Sequence, residues 1–219
     1  MHNKPYFIAI SGESGVGKSR LTNILKNFFK EKEILILNGD DLHKWERNNE
    51  MWNNYTHYNP EANNLELGDL HLIELHNKNF IYRSFYNHET GFFNAPIKIH
   101  PKEIILIEGL HSFYTEISRK IINYKIYINA NEELTMHWKI IRDSEERGYK
   151  YNKILDIINK RKQEKSFIES QIKDADLVIT LNSNNKIKNI GDKNEKLEIN
   201  LSFSNYNDIE LINYIKNTI

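Results

Sequence analysis

The sequence predicts an α/β domain, a parallel sheet core with helices on both faces. Three observations carry this. Five short apolar, β-branched runs recur, amphipathic helical patterns separate them, and a glycine-rich turn joins the first run to the first helical pattern. The runs are YFIAIS (6–11), EILILNG (33–39), EIILIEG (103–109), KIYINA (125–130) and DLVITL (176–181). Runs this apolar, flanked by helices, read as parallel strands covered on both sides.

The helical patterns follow in order. Residues 18–31 put Leu21, Ile24, Leu25 and Phe28 at helical spacing, and residues 66–77 also read as helix. Residues 131–147 open on Glu132 and Glu133 and stop before Gly148, an acidic first turn and a glycine terminator. Residues 151–170 carry Ile154, Leu155, Ile158 and Phe167 among charges. After Leu181 an Asn/Lys-rich connector leads to a strand, KLEINLSF, and a short helix, DIELINYIKN. Residues 41–62 and 78–101 fit neither period; long polar loops of this kind are often functional. The aromatics Phe80, Tyr82, Phe85, Tyr86, Phe92 and Phe93 either pack a β-hairpin against the sheet edge or stack a base. Packing is the favoured reading, because aromatic strands pack well. Residues 1–219 read as one domain, with a core at 6–181 and a short strand-helix extension at 182–219.

Bulk properties narrow the function classes. The chain has 219 residues, enough for one sizeable core. Lys+Arg and Asp+Glu each total 30, so no polyanion-binding surface and no nucleic-acid partner are expected. No apolar run approaches the roughly 20 residues that span a bilayer, and the start, MHNKPYFIAISG, is too short in its apolar part for a secretory signal. Cysteine is absent, which removes disulfides, thiolate nucleophiles and Cys-ligated zinc and fits a cytoplasmic setting. No histidine pair has a zinc-protease spacing.

The turn after the first run is Gly12-Glu13-Ser14-Gly15-Val16-Gly17-Lys18-Ser19, followed by Arg20. It matches G-x-x-x-x-G-K-[ST] at every fixed position, between a strand and a helix as that motif requires. Its glycines let backbone N–H groups turn inward around phosphate oxygens, and the helix adds its positive end. Lys18 reaches the outer phosphates, and the Ser19 hydroxyl suits Mg²⁺. A nucleotide phosphate is the expected ligand. Glu108, at the end of EIILIEG, stands where ligands of open α/β sheets gather and suits the Mg²⁺ hydration shell.

NGDDLHKWER (38–47) leaves a strand on the same edge of the sheet. Asp40 and Asp41 are adjacent, so in an extended segment only one points into the cleft. A carboxylate there can accept a proton from a hydroxyl, and His43 and Arg47 add donors. The plain alternative is an Asp-capped helix start with solvated charges. Lys139, Arg142 and Asp143 share one helix face, and Arg147 continues it one turn later. That face fits a lid over phosphate groups, and equally an exposed helix with an Asp143–Arg147 pair. His88 and His111, with Tyr86 beside them as a substrate-side candidate, either line the pocket or are ordinary loop residues.

GESGVGKS, GDDLHKWER, THYNPEANNLEL (56–67), YNHETG (86–91), LIEGLHSFY (106–114) and WKIIRDSEERGY (138–149) together resemble the phosphoribulokinase branch of the phosphoribulokinase/uridine kinase family, over residues from about 6 to 181. The resemblance implies a P-loop kinase with a five-stranded parallel sheet and extra antiparallel strands at its edge. It implies Mg²⁺-ATP as donor and a sugar phosphate as acceptor, ribulose 5-phosphate first. A uridine/cytidine kinase, or a kinase of another sugar or polyol phosphate, is the alternative. By this resemblance Asp40 is the catalytic base with Asp41 beside it, and Glu108 is the Walker-B-type acid. Asp40, Ser19 and Glu108 form the metal side. His43 and Arg47 face the acceptor, Arg142 and Arg147 bind substrate, and Lys139 and Asp143 are active-site positions on the lid helix. A homo-oligomer, most simply a dimer, is implied. Val16 stands where plant-type members carry a loop cysteine, so no thiol switch is expected there. A P-loop switch without turnover is a third reading, which the acceptor-side residues oppose.

Overall fold

The computed structural model describes residues 4–145, 147–204 and 209–218. The first strand β1 (Tyr6–Ser11) leads through the glycine turn into α1 (Lys18–Phe28) and β2 (Ile34–Asn38). Helix α2 (Leu65–His76) precedes a short pair, β3 (Ile81–Arg83) and β4 (Ile97–Ile99). Then come β5 (Ile104–Gly109), α3 (Glu116–Ile121), β6 (Tyr124–Ala130), α4 (Glu132–Glu145), α5 (Tyr151–Lys162) and α6 (Lys165–Glu169). The chain closes with β7 (Leu177–Ser183), β8 (Ile199–Ser204) and α7 (Ile209–Thr218).

Among the described residues six strands form the main sheet, in the order β2-β5-β1-β6-β7-β8. The first five are parallel, and they are the five apolar runs; β8 adds antiparallel to β7. Side chains alternate across the sheet. Ile8, Ile10, Leu106, Ile126 and Ile179 face a core built with α1 and α7. Phe7, Ala9, Ile105, Tyr127 and Val178 face a second core with α2 and α6. Each fully buried Leu or Ile contributes about 1.5–3 kcal/mol, so sheet and helices stand or fall together. The C-terminal strand and helix are part of this body: Leu211, Ile212 and Ile215 lie in the first core.

Several local readings change. The 151–170 pattern is not one helix but α5 and α6, and the reason is tertiary. Glu164, at the break, accepts hydrogen bonds from Thr56 N (3.2 Å) and Asn59 Nδ2 (2.8 Å), which draws its backbone out of helical register. Helix α3 has no counterpart in the sequence reading. The expected hairpin exists, but β3 and β4 pair only with each other, and Phe80, Tyr82 and Phe92 are exposed and do not pack on the sheet edge. The 41–62 stretch is held by 3-10 turns at Gly39–Leu42, Glu50–Asn53 and Pro60–Ala62. Each turn is opened by an Asn side chain (Asn38, Asn49, Asn59) that accepts the N–H two residues on.

Two backbone approaches need glycine. Gly12 has φ +149°, and a Cβ on it would meet the Ile128 carbonyl oxygen at 2.2 Å. A Cβ on Gly39 would stand 2.9 Å from Gly109 Cα, where the ends of β2 and β5 converge. Gly39→Ala should therefore cost about 1–3 kcal/mol by overpacking, lowering the thermal midpoint by roughly 3–10 °C. Calorimetry on the variant checks this, and an unchanged midpoint would disprove the constraint.

Candidate active site

The site lies along the carboxyl ends of β1, β2 and β5. Helix α1 starts at Gly17 (φ 95°) with no side-chain cap, so its first N–H groups stay available to an anion. Lys18 folds back over the loop, its Nζ donating to Gly12 O (2.9 Å) and Glu13 O (2.7 Å). Burial pulls its pKa down to about 8, while the charges of Asp40 and Glu108 pull the other way. Val16 is buried in the core and anchors the loop, and Arg20 is on the exposed side of α1. The Glu13 carboxylate turns away from the cradle, toward Lys165 Nζ (2.9 Å) and the Tyr58 hydroxyl. Tyr58 in turn accepts from Ser14 N at 3.0 Å, pinning the loop from below.

Across the loop, Glu108 is buried and accepts from Ser19 Oγ (3.1 Å) and Thr22 Oγ1 (2.6 Å). A hydroxyl and a carboxylate held side by side at a phosphate loop fit Mg²⁺, which keeps waters and takes one or two protein ligands beside substrate phosphates. Among the described residues no cluster of three or more His, Asp or Glu is set to hold a metal by itself. Thr22 was missed in the sequence, although it lies one helical turn beyond Lys18.

The acid pair divides as its adjacency requires. Asp40 faces the cleft, with His88 Nε2 at 3.2 Å and His43 Nε2 at 3.5 Å. Burial would raise its pKa, but the hydrogen bond from His88 and the charges of His43, His88 and His57 hold the carboxyl well below its usual range. Asp41 points inward and is not among the cleft groups: it pairs with buried Arg83 (Nε, 3.2 Å) and accepts from Tyr86 N (2.9 Å). Arg83 also donates to Asn38 O (2.6 Å) and meets His71 Nδ1 (3.1 Å). Arg47 donates to His88 O and to Glu89 O, the latter at 3.2 Å, so it clasps the 86–91 turn and presents His88 to Asp40. Tyr86 stands edge-on to His43, 5.4 Å between ring centroids. His57, not among the candidates read from the sequence, stacks on His43 at 4.2 Å. His111 reaches the His57 carbonyl at 3.4 Å and lines, with Asp40 and His43, a cavity of about 50 Å³.

The α4 face turns inward rather than to solvent. Asp143 is buried and binds Arg142 (2.7 Å) and Arg147 (3.4 Å), and Arg142 Nη1 donates to Ser14 Oγ at 3.1 Å. Lys139 is buried too; desolvation, then the nearby Arg161, bring its pKa down to about 7. The ion pair foreseen for an exposed helix is present, but it braces a cationic lid against the phosphate loop.

A phosphate loop, a paired hydroxyl and acid, and a facing carboxylate among histidines stand together on the carboxyl edge of a sheet of P-loop fold. The model of the phosphoribulokinase / uridine kinase family matches residues 7–188, and the chain belongs to that family. It is 37% identical over 173 residues to a phosphoribulokinase of Synechocystis, covering 78% of this chain and 52% of that one. It is 28% identical over 194 residues to a uridine kinase of Bacillus pumilus, covering 85% of this chain and 91% of the relative. The chain thus spans about half the length of the curated phosphoribulokinases it matches. A solved phosphoribulokinase from Rhodobacter spheroides shares the fold, with TM-score 0.70 at 20% identity over 88% of this chain and 75% of its own.

Two outcomes are expected. Asp41→Ala leaves Arg83 buried without its partner and should cost about 3–5 kcal/mol in urea unfolding, whereas Asp40→Asn, at a part-exposed carboxylate whose amide replacement still hydrogen-bonds, should cost less. Equal costs would contradict the division of the pair. The second outcome concerns pH. Burial takes His71 and His111 down to about 4 and lowers His43 and His57 from their ordinary value. Below about pH 6.5 the unfolded chain binds protons at these rings and the folded chain does not, so stability falls as pH drops from 6.5 toward 4. Unfolding free energies at about pH 7, 6 and 5 test this; a flat profile would refute it.

Proposed function

We propose that this chain is a Mg²⁺-ATP-dependent kinase that phosphorylates a hydroxyl of a sugar phosphate, with ribulose 5-phosphate as the first candidate. The observation that carries the reading is Asp40, flanked by His43 and His88 and close enough to Lys18 for the two charges to interact. Bound Mg²⁺-ATP supplies the phosphoryl group and the metal's charge. Asp40 would accept the hydroxyl proton as the acceptor oxygen bonds to the γ-phosphorus and the bond from that phosphorus to the bridging oxygen breaks, with ADP as the leaving group. Lys18 and the lid residues Lys139, Arg142 and Arg147 neutralise charge on the phosphate oxygens. Ser19, with Glu108 behind it, faces the metal. His43 and His111 line the cavity beside Asp40, a polar wall suited to hydroxyl groups.

A nucleoside kinase is the second reading, because the match to uridine kinases runs over nearly their whole length. The cations on the acceptor side favour a phosphorylated acceptor. We take residues 1–219 as one kinase domain that works in the cytoplasm as a homo-oligomer, a dimer first, on small molecules alone.

A coupled ADP-release screen of uridine, cytidine, pentose phosphates, hexose phosphates and polyol phosphates decides the acceptor. Ribulose 5-phosphate should give the highest kcat/KM; preference for uridine would replace the first reading by the second. With the true acceptor, Asp40→Asn should lower kcat by about 10²–10⁴ with the KM for ATP nearly unchanged. Near-normal turnover would remove Asp40 from its role.

A further inference from the structure

Beside the phosphate loop, between α4 and α5, lies a second cavity of about 140 Å³, against about 30 Å³ for one water. Its charged lining is Glu13, Glu132, Lys139, Arg161, Lys162 and Lys165. Both carboxylates are already paired, Glu13 with Lys165 at 2.9 Å and Glu132 with Lys162. Four basic side chains against two carboxylates leave Lys139 and Arg161 without an acidic partner in the cavity lining.

Arg161 is only 7% exposed, and its Nε and Nη1 are buried with no hydrogen-bond partner among the described residues. A buried guanidinium left so is costly unless something completes it. What surrounds it is incomplete compensation. Arg161 lies 5.2 Å and Lys139 Nζ 5.5 Å from the centroid of the Tyr58 ring, which attracts both cations but fills none of the N–H positions. Tyr58 is itself fixed to the loop through Ser14 N. Both cations thus line the cavity beside one fixed ring. The charge of Arg161 is also felt at His43, His57 and Arg147, on the acceptor side.

We propose that this cavity is a second anion site, distinct from the phosphate loop, in which Arg161 and Lys139 bind a phosphate monoester group. A guanidinium fork matches two phosphate oxygens, and an anion in the cavity favours the protonated ammonium of Lys139, which supplies a point charge. The site rests on the kinase reading only for its occupant, which is either the acceptor's own phosphate or a separate phosphorylated effector.

The test is calorimetric titration of inorganic phosphate into protein saturated with ADP, which fills the phosphate loop. One site is expected in the unmodified chain. Arg161→Gln should bind at least about tenfold more weakly, as for lost charge-assisted hydrogen bonds, and Arg161→Lys should fall between, with circular dichroism unchanged. If ribulose 5-phosphate competes with phosphate, the occupant is the acceptor's phosphate; if phosphate binds alongside it, the occupant is a separate effector. Both results support the site. Equal phosphate affinity in folded Arg161→Gln, or no phosphate bound by the ADP-loaded chain, overturns it. Should Arg161→Gln not fold, unchanged affinity in Arg161→Lys overturns it instead. An Arg161-dependent phosphate site in a chain that fails the acceptor screen would remove the kinase reading and leave the site standing.

Discussion

The site depends on how closely β2 can approach β5. Their register pairs Asn38 with Glu108, and the next residues, Gly39 and Gly109, bring two backbones to a separation that no Cβ tolerates. Because both strands end there, their exits stand side by side: Asp40 on one, Glu108 on the other. Two cross-links lock the next strand to this arrangement, Ser11 Oγ to Leu110 O (3.0 Å) and Ser112 Oγ to Ile10 O (2.8 Å). The phosphate loop, which follows Ser11, is thereby held at a fixed distance from both acids. Glu108 completes the frame by holding Ser19 and Thr22 on α1. Asp40, the Ser19 hydroxyl with Glu108 behind it, and the phosphate loop then share one edge as a consequence of strand order rather than of loop flexibility.

Charge is arranged on this frame in compensated groups. Asp41 and Arg83 neutralise each other away from the cleft, and that pair, through Asn38 O and Tyr86 N, ties the end of β2 to the segment carrying His88. Asp143 does the same for Arg142 on α4 and for Arg147 just past its end. In each case one buried carboxylate orients cations or backbone without entering the cleft. Removing such a carboxylate would leave its partners uncompensated in a low dielectric, which is why these acids are more structural than their neighbours.

The strands were legible because a sheet covered on both faces demands unbroken apolar runs, and the phosphate loop was legible because its backbone geometry demands glycines at fixed positions. Asp40 could be proposed from its place after a strand. Its neighbour's inward turn could be foreseen, but not Arg83 as partner, since that contact spans 42 residues of sequence. The 3-10 turns of the 41–62 stretch had a local signal, an Asn two residues before each second turn residue, that hydrophobic periodicity overlooks. The break between α5 and α6 had none, because Glu164 leaves the helix for partners more than a hundred residues away. Arg161 did leave a trace: with Ile154 and Ile158 it completes the buried stripe of α5, and a cation on an apolar stripe calls for a counter-charge.

The histidines around Asp40 bear on the base role proposed for that carboxylate. Three rings carry the charges that lower its proton affinity, yet burial favours the neutral form of two of them, His43 and His57. Neutral rings hydrogen-bond without the Coulomb attraction that would bind the carboxylate into a permanent ion pair. The depression of Asp40 then rests chiefly on His88, which is half-exposed and held in place from outside by Arg47. An acceptor hydroxyl that displaces the His88 contact would return proton affinity to Asp40 at the moment it is needed. The clasp of Arg47 on the 86–91 turn is therefore coupled to the basicity of a residue it does not touch.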